Sequence, residues 1–175
     1  MEIQVLHTAD LGAGERAALR ALLDASFEEF TDDDWDHALG GLHAIARDGG
    51  EVLGHAAVVQ RQLLHGERIL RTGYVEGVAV RADRRRQGHG DALMAAVERV
   101  IRAAYHLGAL AASDEGAALY GSRGWLRWSG PIARLTPAGP VPTPDDDGLV
   151  HVLPGAVPLD PDLPLLCDPR PGDPW

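Results

Sequence analysis

Val78-Ala79-Val80-Arg81-Ala82-Asp83-Arg84-Arg85-Arg86-Gln87-Gly88-His89-Gly90 reads as an apolar strand that passes through a basic, glycine-containing turn into a helix. A helix start leaves backbone N–H groups unpaired and carries the positive end of the dipole, and glycine lets an anion approach that backbone closely. Arg84, Arg85 and Arg86 add charge, so the turn is suited to cradle a phosphate; away from a strand-to-helix turn the same arginines would read as an exposed basic loop. Neither common nucleotide fingerprint fits. No Gly-x-Gly-x-x-Gly opens the helix, and a P-loop needs a lysine, whereas all 16 basic residues of this chain are arginine.

Upstream of this turn, Glu2–Thr8 reads as a strand and Glu15–Phe27 as a helix with Leu19, Leu22, Leu23 and Phe27 on one face. Strands over Gly41–Arg47 and Val52–Leu64 are separated by Asp48-Gly49-Gly50, a hairpin signal, and Arg68–Val80 returns as a third strand. Downstream, Leu93, Val97, Val100, Ile101 and Ala104 form a helical stripe, followed by a short strand near Ala109 and a helix near Tyr120. Trp125 and Trp128 alternate as strand residues would. The alternation predicts an α/β fold in one domain spanning 1–175.

All twelve prolines lie from Pro131 onward, which divides a proline-free core, 1–130, from a proline-rich extension, 131–175. Leu149, Val150, Val152, Leu153, Val157, Leu163, Leu165 and Leu166 supply apolar anchors there, and proline lowers the entropy cost of fixing an irregular path. An ordered extension is expected rather than a disordered tail. With 26 acidic against 16 basic residues, the net charge of −10 disfavours nucleic acid and anionic lipid and favours neutral or cationic partners. The start lacks a signal-peptide pattern and no long apolar run occurs, so a cytoplasmic protein without membrane association is expected. Cys167 is the single cysteine, which excludes an internal disulfide and a cysteine-rich zinc site. The eight histidines show no metal-ligand spacing, so no metal is expected and packed or solvated rings suffice.

Arg85-x-x-Gly88-x-Gly90 after an apolar strand resembles the coenzyme A signature of GCN5-related N-acetyltransferases, and Ala118-Leu119-Tyr120-x-x-x-Gly124-Trp125 matches a second stretch of that family. Tyr74-Val75-Glu76-Gly77-Val78-Ala79-Val80-Arg81-Ala82, Trp35 among acids, Pro144-Asp145-Asp146-Asp147-Gly148 and Trp175 are similar to the actinobacterial aminoglycoside 2′-N-acetyltransferases. The resemblance covers essentially the whole chain. It implies a splayed mixed sheet flanked by helices, with acetyl-CoA as acetyl donor between separating strands, and a homodimer.

Acetyl transfer to an amine needs a base, a donor to the developing oxyanion and an acid for the departing thiolate. The resemblance implies Glu76 as base through a water, a step that contributes on the order of 10²–10⁴-fold. A strand glutamate paired with arginine is the alternative. Gly77 beside it suits a bulge. The resemblance also assigns the amide near Val78 to the thioester carbonyl and the Val78–Val80 backbone, with Ala79 between, to the pantetheine arm. Arg85, Arg86, Gln87, Gly88, His89 and Gly90 would hold the pyrophosphate, and Glu115, Gly116, Ala117, Ala118 and Leu119 would line the coenzyme. Tyr120 is the implied acid; a core tyrosine is the alternative.

Six acids lie between Glu28 and Asp36, and Asp145-Asp146-Asp147 forms a second cluster. Either alone reads as a solvated surface. The resemblance folds Asp173 and the Trp175 carboxylate back towards them, giving an acceptor site for a polycation from Glu29, Asp34, Glu76, Gly77, Ala111, Asp145, Asp146, Asp173 and Trp175. A field that binds ammonium raises its pKa, so the attacked amine needs its own base. Glu76 supplies it, with the Trp175 carboxylate as a second candidate. Relatives of this group carry aspartate in place of Glu29 and serine in place of Ala111; the missing hydroxyl removes one hydrogen bond, about 0.5–1.5 kcal/mol. The expected activity is acetylation of an aminoglycoside at the 2′ amine; another polyamine, a protein amine, or an inactive binding module are the alternatives.

Overall fold

A computed structural model of the chain describes residues 1–112 and 114–175, with the side chains of Asp114 and Glu115 also outside the described set. It divides into two compact units, which strands and one helix traverse: Met1–Val59 with Val75–Val100, and Gln60–Tyr74 with Ile101–Trp175.

In the first unit β1 (Glu2–His7) runs antiparallel to β2 (Leu42–Asp48), which pairs antiparallel with the first part of β3 (Glu51–His65). The predicted β2–β3 hairpin is present: Gly49 and Gly50 adopt φ +56° and +92°, the left-handed pair a two-residue loop needs. Helix α1 (Ala13–Asp24) stops three residues short of the predicted end. Ser26 explains this, because its hydroxyl donates to the Leu22 carbonyl and its amide to Leu23 O, tightening the last turn. A second helix, α2 (Asp32–His37), has no apolar periodicity to announce it; a capping box holds it, in which Asp34 N–H donates to Thr31 Oγ1 while the Asp34 carboxylate accepts from the Thr31 amide. Leu19, Leu11 and Ile45 form one core cluster, and Leu22, Leu23 and Ala79 another, with Trp35 and Val52 packed against both.

The second half of β4 (Arg68–Val80) completes this unit, with the Arg81 amide donating to Leu53 O. Helix α3 (His89–Ala104) buries Leu93, Val97 and Ile101 of the predicted stripe, together with Met94, while Val100 is half-buried and Ala104 exposed. A Cβ at Gly54 would stand 2.9 Å from both Ala79 O and Leu93 Cδ1, so glycine lets strand, strand and helix meet there.

In the second unit the strand order is β6-β9-β5-β4-β3-β10-β7-β8, taking β5 (Leu107–Ala111), β6 (Leu126–Arg127), β7 (Ile132–Thr136), β8 (Gly139–Pro142), β9 (Val150–Leu153) and β10 (Leu165–Cys167). β4–β5 and β10–β7 pair in parallel; β5–β9, β6–β9, β3–β10 and β7–β8 are antiparallel. The mixed sheet expected from the sequence is therefore present. Four of its strands come from residues 131–175. Pro140 and Pro142 fall on β8, the last strand in the order, where a missing N–H costs no ladder bond. Helix α4 (Asp114–Ser122) precedes β6, and Trp125 and Trp128 flank that strand as buried residues.

Candidate functional site

Within the first unit, β4 delivers Glu76, Gly77, Val78, Ala79 and Val80 in sequence, with Glu76, Gly77, Val78 and Val80 half-buried and Ala79 in the core. Gly77 has φ +55°, so the backbone kinks where a bulge was expected. The turn beyond β4 contains two more left-handed residues, Arg86 (φ 59°) and Gly88 (φ 82°), before α3 begins at His89. Arg81 is spent on Asp83 and Glu51, and Arg84 lies 3.6 Å from Asp83. Arg85 and Arg86 have no acidic partner among the described residues; Arg85 Nε donates to Val80 O, and both side chains are exposed with Gln87 and Gly88. His89 is buried at the helix start, its Nε2 without a partner among the described residues, and Gly90 follows half-buried. Two exposed cations beside the open amides of a helix start suit an anion.

The α1–α2 segment carries Glu29, exposed, and Asp34, half-buried. Their neighbours Phe30 and Trp35 pack against the cluster containing Ala79, which ties this acidic segment to β4. The Asp34 carboxylate is engaged with both the amide and the hydroxyl of Thr31, and Asp32 pairs with Arg20, so local capping and pairing account for part of the cluster.

In the second unit Tyr120 lies on α4, buried, its ring beside Trp125 and His151 at centroid separations of 6.2 and 6.3 Å. Gly116 makes room for it, since a Cβ there would stand 2.9 Å from Tyr120 Cε2. Burial pushes the phenol up to about 12. Gly116, Ala117 and Leu119 are half-buried on the same helix and Ala118 is exposed; the expected coenzyme contact at the Glu115 side chain lies outside the described residues. Ala111 ends β5 opposite Val150, and the bonds Ala112 N–H to Leu149 O and Leu149 N–H to Asp146 O join that strand end to the acidic loop.

The chain end folds onto this loop. Trp175 is 5% exposed and its indole N–H donates to Thr143 Oγ1 at 2.9 Å. Partial burial, then the charges of Asp173, Asp145 and Asp147, raise the Asp146 pKa, against a bond from Thr143 that lowers it. Asp145, Asp146, Asp173 and Trp175 are thus brought together, with Asp145 and Asp173 exposed. Arg61, 5% exposed, holds the returning segment: Nε donates to Asp168 Oδ1, Nη2 to Asp168 O and Nη1 to Pro174 O, while its guanidinium lies 4.7 Å from the Tyr74 ring centre. Nothing in the sequence pairs Arg61 with residues more than a hundred positions away.

Two further residues escaped the sequence reading. His43 and His55 sit diagonally across the β2–β3 ladder, both fully buried, and His55 Nδ1 donates to the carbonyl of Gly77 at 2.7 Å. The available signal was their inward place in two alternating strands. Cys167 is buried, and that burial raises its thiol pKa despite the nearby Arg61. Among the described residues no cluster of His, Cys, Asp and Glu could hold a metal ion, and no helix is long and apolar enough to cross a membrane.

The chain belongs to the GNAT acetyltransferases: the model of the acetyltransferase (GNAT) domain matches residues 10–127. It is 50% identical to the aminoglycoside 2′-N-acetyltransferase of Mycolicibacterium fortuitum across 98% of this chain and 91% of that protein. Solved structures share its fold. A GNAT acetyltransferase from Brucella melitensis in complex with acetyl-CoA superposes with a TM-score of 0.61 at 17% identity, covering 94% of each chain. A GNAT N-acetyltransferase from Escherichia coli in complex with CoA gives 0.62 at 18% identity, over 97% of this chain and 89% of that one.

Proposed function

We propose that this acetyltransferase moves the acetyl group of acetyl-CoA to the 2′ amine of an aminoglycoside. The observation that carries the reading is the folded-back chain end, which sets Trp175 and Asp173 beside Asp145 and Asp146, where partial burial first and then the neighbouring carboxylates raise the Asp146 pKa. A polycation relieves that repulsion, and its ammonium and hydroxyl groups donate to carboxylates. Near-full-length identity of 50% to an aminoglycoside 2′-N-acetyltransferase supports the same acceptor.

In this reading Arg85, Arg86, His89 and the amides at the start of α3 hold the pyrophosphate, and the Val78–Val80 backbone pairs with the pantetheine arm. Glu76 takes the ammonium proton through a water, which frees the nitrogen lone pair to attack the thioester carbon. The Val78 amide donates to the carbonyl oxygen as it gains charge. Tyr120 then serves the leaving sulfur. A phenol held near 12 stays protonated at neutral pH, and an ordinary thiol titrates near about 8.5. Tyr120 therefore acts first as a hydrogen-bond donor; once its proton passes to the departing thiolate, the phenolate regains the second proton that the acetylated nitrogen sheds. Loss of a hydroxyl at Ala111 alters acceptor selectivity without touching these steps.

Thiol release from acetyl-CoA with kanamycin B and kanamycin A tests the acceptor, because the two carry an amine and a hydroxyl at the 2′ position. Turnover with the first and little with the second is expected. Equal turnover overturns the regiochemistry, and a preference for spermidine or a protein amine overturns the acceptor class. We also propose, on the family resemblance, a cytoplasmic homodimer whose expression raises resistance to kanamycin B, checked by sedimentation and inhibitory concentration.

A further inference from the structure

We propose that His55, held by His43, is a positioning residue that aims the amide of Val78. A file of hydrogen bonds crosses the first unit: the Gly40 amide reaches Thr8 Oγ1 at 2.9 Å, Thr8 Oγ1 reaches His43 Nε2 at 2.7 Å, His43 Nδ1 reaches His55 Nε2 at 2.9 Å, and His55 Nδ1 reaches Gly77 O at 2.7 Å. Both rings are fully buried.

The sense of every link follows from its last one. A carbonyl oxygen only accepts, so His55 carries its proton on Nδ1 and, being neutral, accepts at Nε2. His43 must then donate from Nδ1 and accept at Nε2, and Thr8 must turn its hydroxyl proton towards that nitrogen at 2.7 Å rather than towards the Gly41 carbonyl at 3.3 Å, while taking the Gly40 amide on its oxygen. All four ring nitrogens are committed. Desolvation keeps both rings uncharged, lowering His43 to about 3, with the charges of His55, His7 and Arg16 adding to it, and His55 to about 4.

The carbonyl of Gly77 and the amide of Val78 belong to one planar peptide unit, and in the trans form they point in opposite directions. Anchoring the oxygen on His55 therefore directs the Val78 N–H away from the buried rings. Gly77 sits at φ +55° without a Cβ, so the strand by itself leaves that peptide freer to turn than any neighbouring one. A Cβ there would meet His55 Nδ1 and Leu23 at 3.4 Å, which marks how closely the ring is set against this backbone. The inference rests on the reading in which the Val78 amide donates to the thioester oxygen, and it adds the device that fixes that donor. No proton travels along the file, because Gly77 O has none to give or to pass on.

His55→Asn and His55→Leu test it. An asparagine nitrogen reaches the place of Nδ1, whereas leucine fills space without a donor. His55→Leu is expected to lower kcat by about tenfold or more while the KM for acetyl-CoA holds; His55→Asn recovers most of kcat although both lower the melting temperature. Should kcat follow melting temperature alike in both variants, or stay at the wild-type value in folded His55→Leu, the positioning role is overturned. Should His55→Leu fail to fold, the wild-type protein still decides: nitrogen-15 spectra of both imidazoles are expected to show neutral Nδ1–H tautomers from about pH 6 to 8. An Nε2–H tautomer or a charged ring at either position refutes the file. Acetyl-CoA titration reads the donor without any acceptor amine. The Val78 amide proton is expected to move downfield in wild type and His55→Asn and less in His55→Leu. A wild type that shows this shift but acetylates no aminoglycoside refutes the acceptor assignment and leaves the positioning role supported; a shift equal in all three overturns the positioning role.

Discussion

Replacing Arg61 by methionine should detach the end of the chain without emptying the core. Methionine keeps much of the aliphatic stem but loses the three donors that hold Asp168 Oδ1, Asp168 O and Pro174 O at 2.8, 2.9 and 2.8 Å, and the cation over Tyr74. Hydrogen bonds to a charged group contribute about 1.5–3 kcal/mol each, and breaking a buried pair costs about 3–5 kcal/mol. Because the Asp168 side chain is 32% exposed and also accepts from the Gln62 amide, the lower end of that range applies to global stability. The Pro174 bond contributes about 1.5–3 kcal/mol to holding the last residues beside the buried Trp175 and its bond to Thr143, so its loss raises their open population about ten- to hundredfold. Hydrogen exchange of the peptide from Asp168 to Trp175 reads that population, and the KM for kanamycin B should rise in step with it. Arg61→Lys should fall between, keeping the charge without the planar fork. Unchanged exchange at residues 168–175 in a variant of lowered melting temperature would refute the latch and reduce Arg61 to a core residue.

Glu76→Gln is expected to lower kcat by on the order of 10²–10⁴-fold with acetyl-CoA binding intact, measured by thiol release and calorimetry. Tyr120→Phe should also lower kcat, and since burial pushes its phenol up to about 12 the wild-type rate should show no alkaline fall from this group below about pH 10. Gly54→Ala drives a methyl against the Ala79 carbonyl and Leu93, and overpacking of this kind costs about 1–3 kcal/mol, read as a lowered urea midpoint. For His43 and His55 the native pKa values, about 3 and about 4, lie below the unfolded value of 6.5, so the unfolded chain binds more protons and stability falls as pH drops from 6.5. Each ring contributes a slope of about 1.4 kcal/mol per pH unit down to its native pKa. Urea unfolding at pH 7 and pH 5 checks this, and His43→Phe should flatten the slope.

Much of the architecture is local and therefore readable. The Asp48–Glu51 hairpin needs only two glycines, the α3 stripe only its spacing, and the strand-turn-helix at Val78–Gly90 only its order of residue types. Helix α2 was not readable by periodicity, because capping at Thr31 and Asp34 rather than an apolar face holds its six residues. Boundaries at Asp24 turned on one serine hydroxyl. Within the candidate site, residues adjacent in sequence were found and those joined through space were not. Glu76, Gly77 and Val78 follow one another on a strand, whereas the histidine that grips Gly77 arrives from β3 and its support from β2 and the start of the chain. Arg61 meets Asp168 and Pro174 for the same reason: register and loop paths set those meetings, and neither is written in residue spacing.

The fixed sense of the Thr8–His43–His55 file carries an evolutionary consequence. Each link presents the proton or the lone pair that its neighbour lacks, so a change at one position leaves the next with a buried group of the wrong kind. Thr8→Val strands the bare nitrogen of His43, and replacing His43 strands that of His55. Single substitutions are penalised where joint ones are not. Across divergent relatives these three positions should therefore be inherited as a set or exchanged as a set, while Gly77, which offers only a backbone oxygen, can accept whichever donor the set supplies.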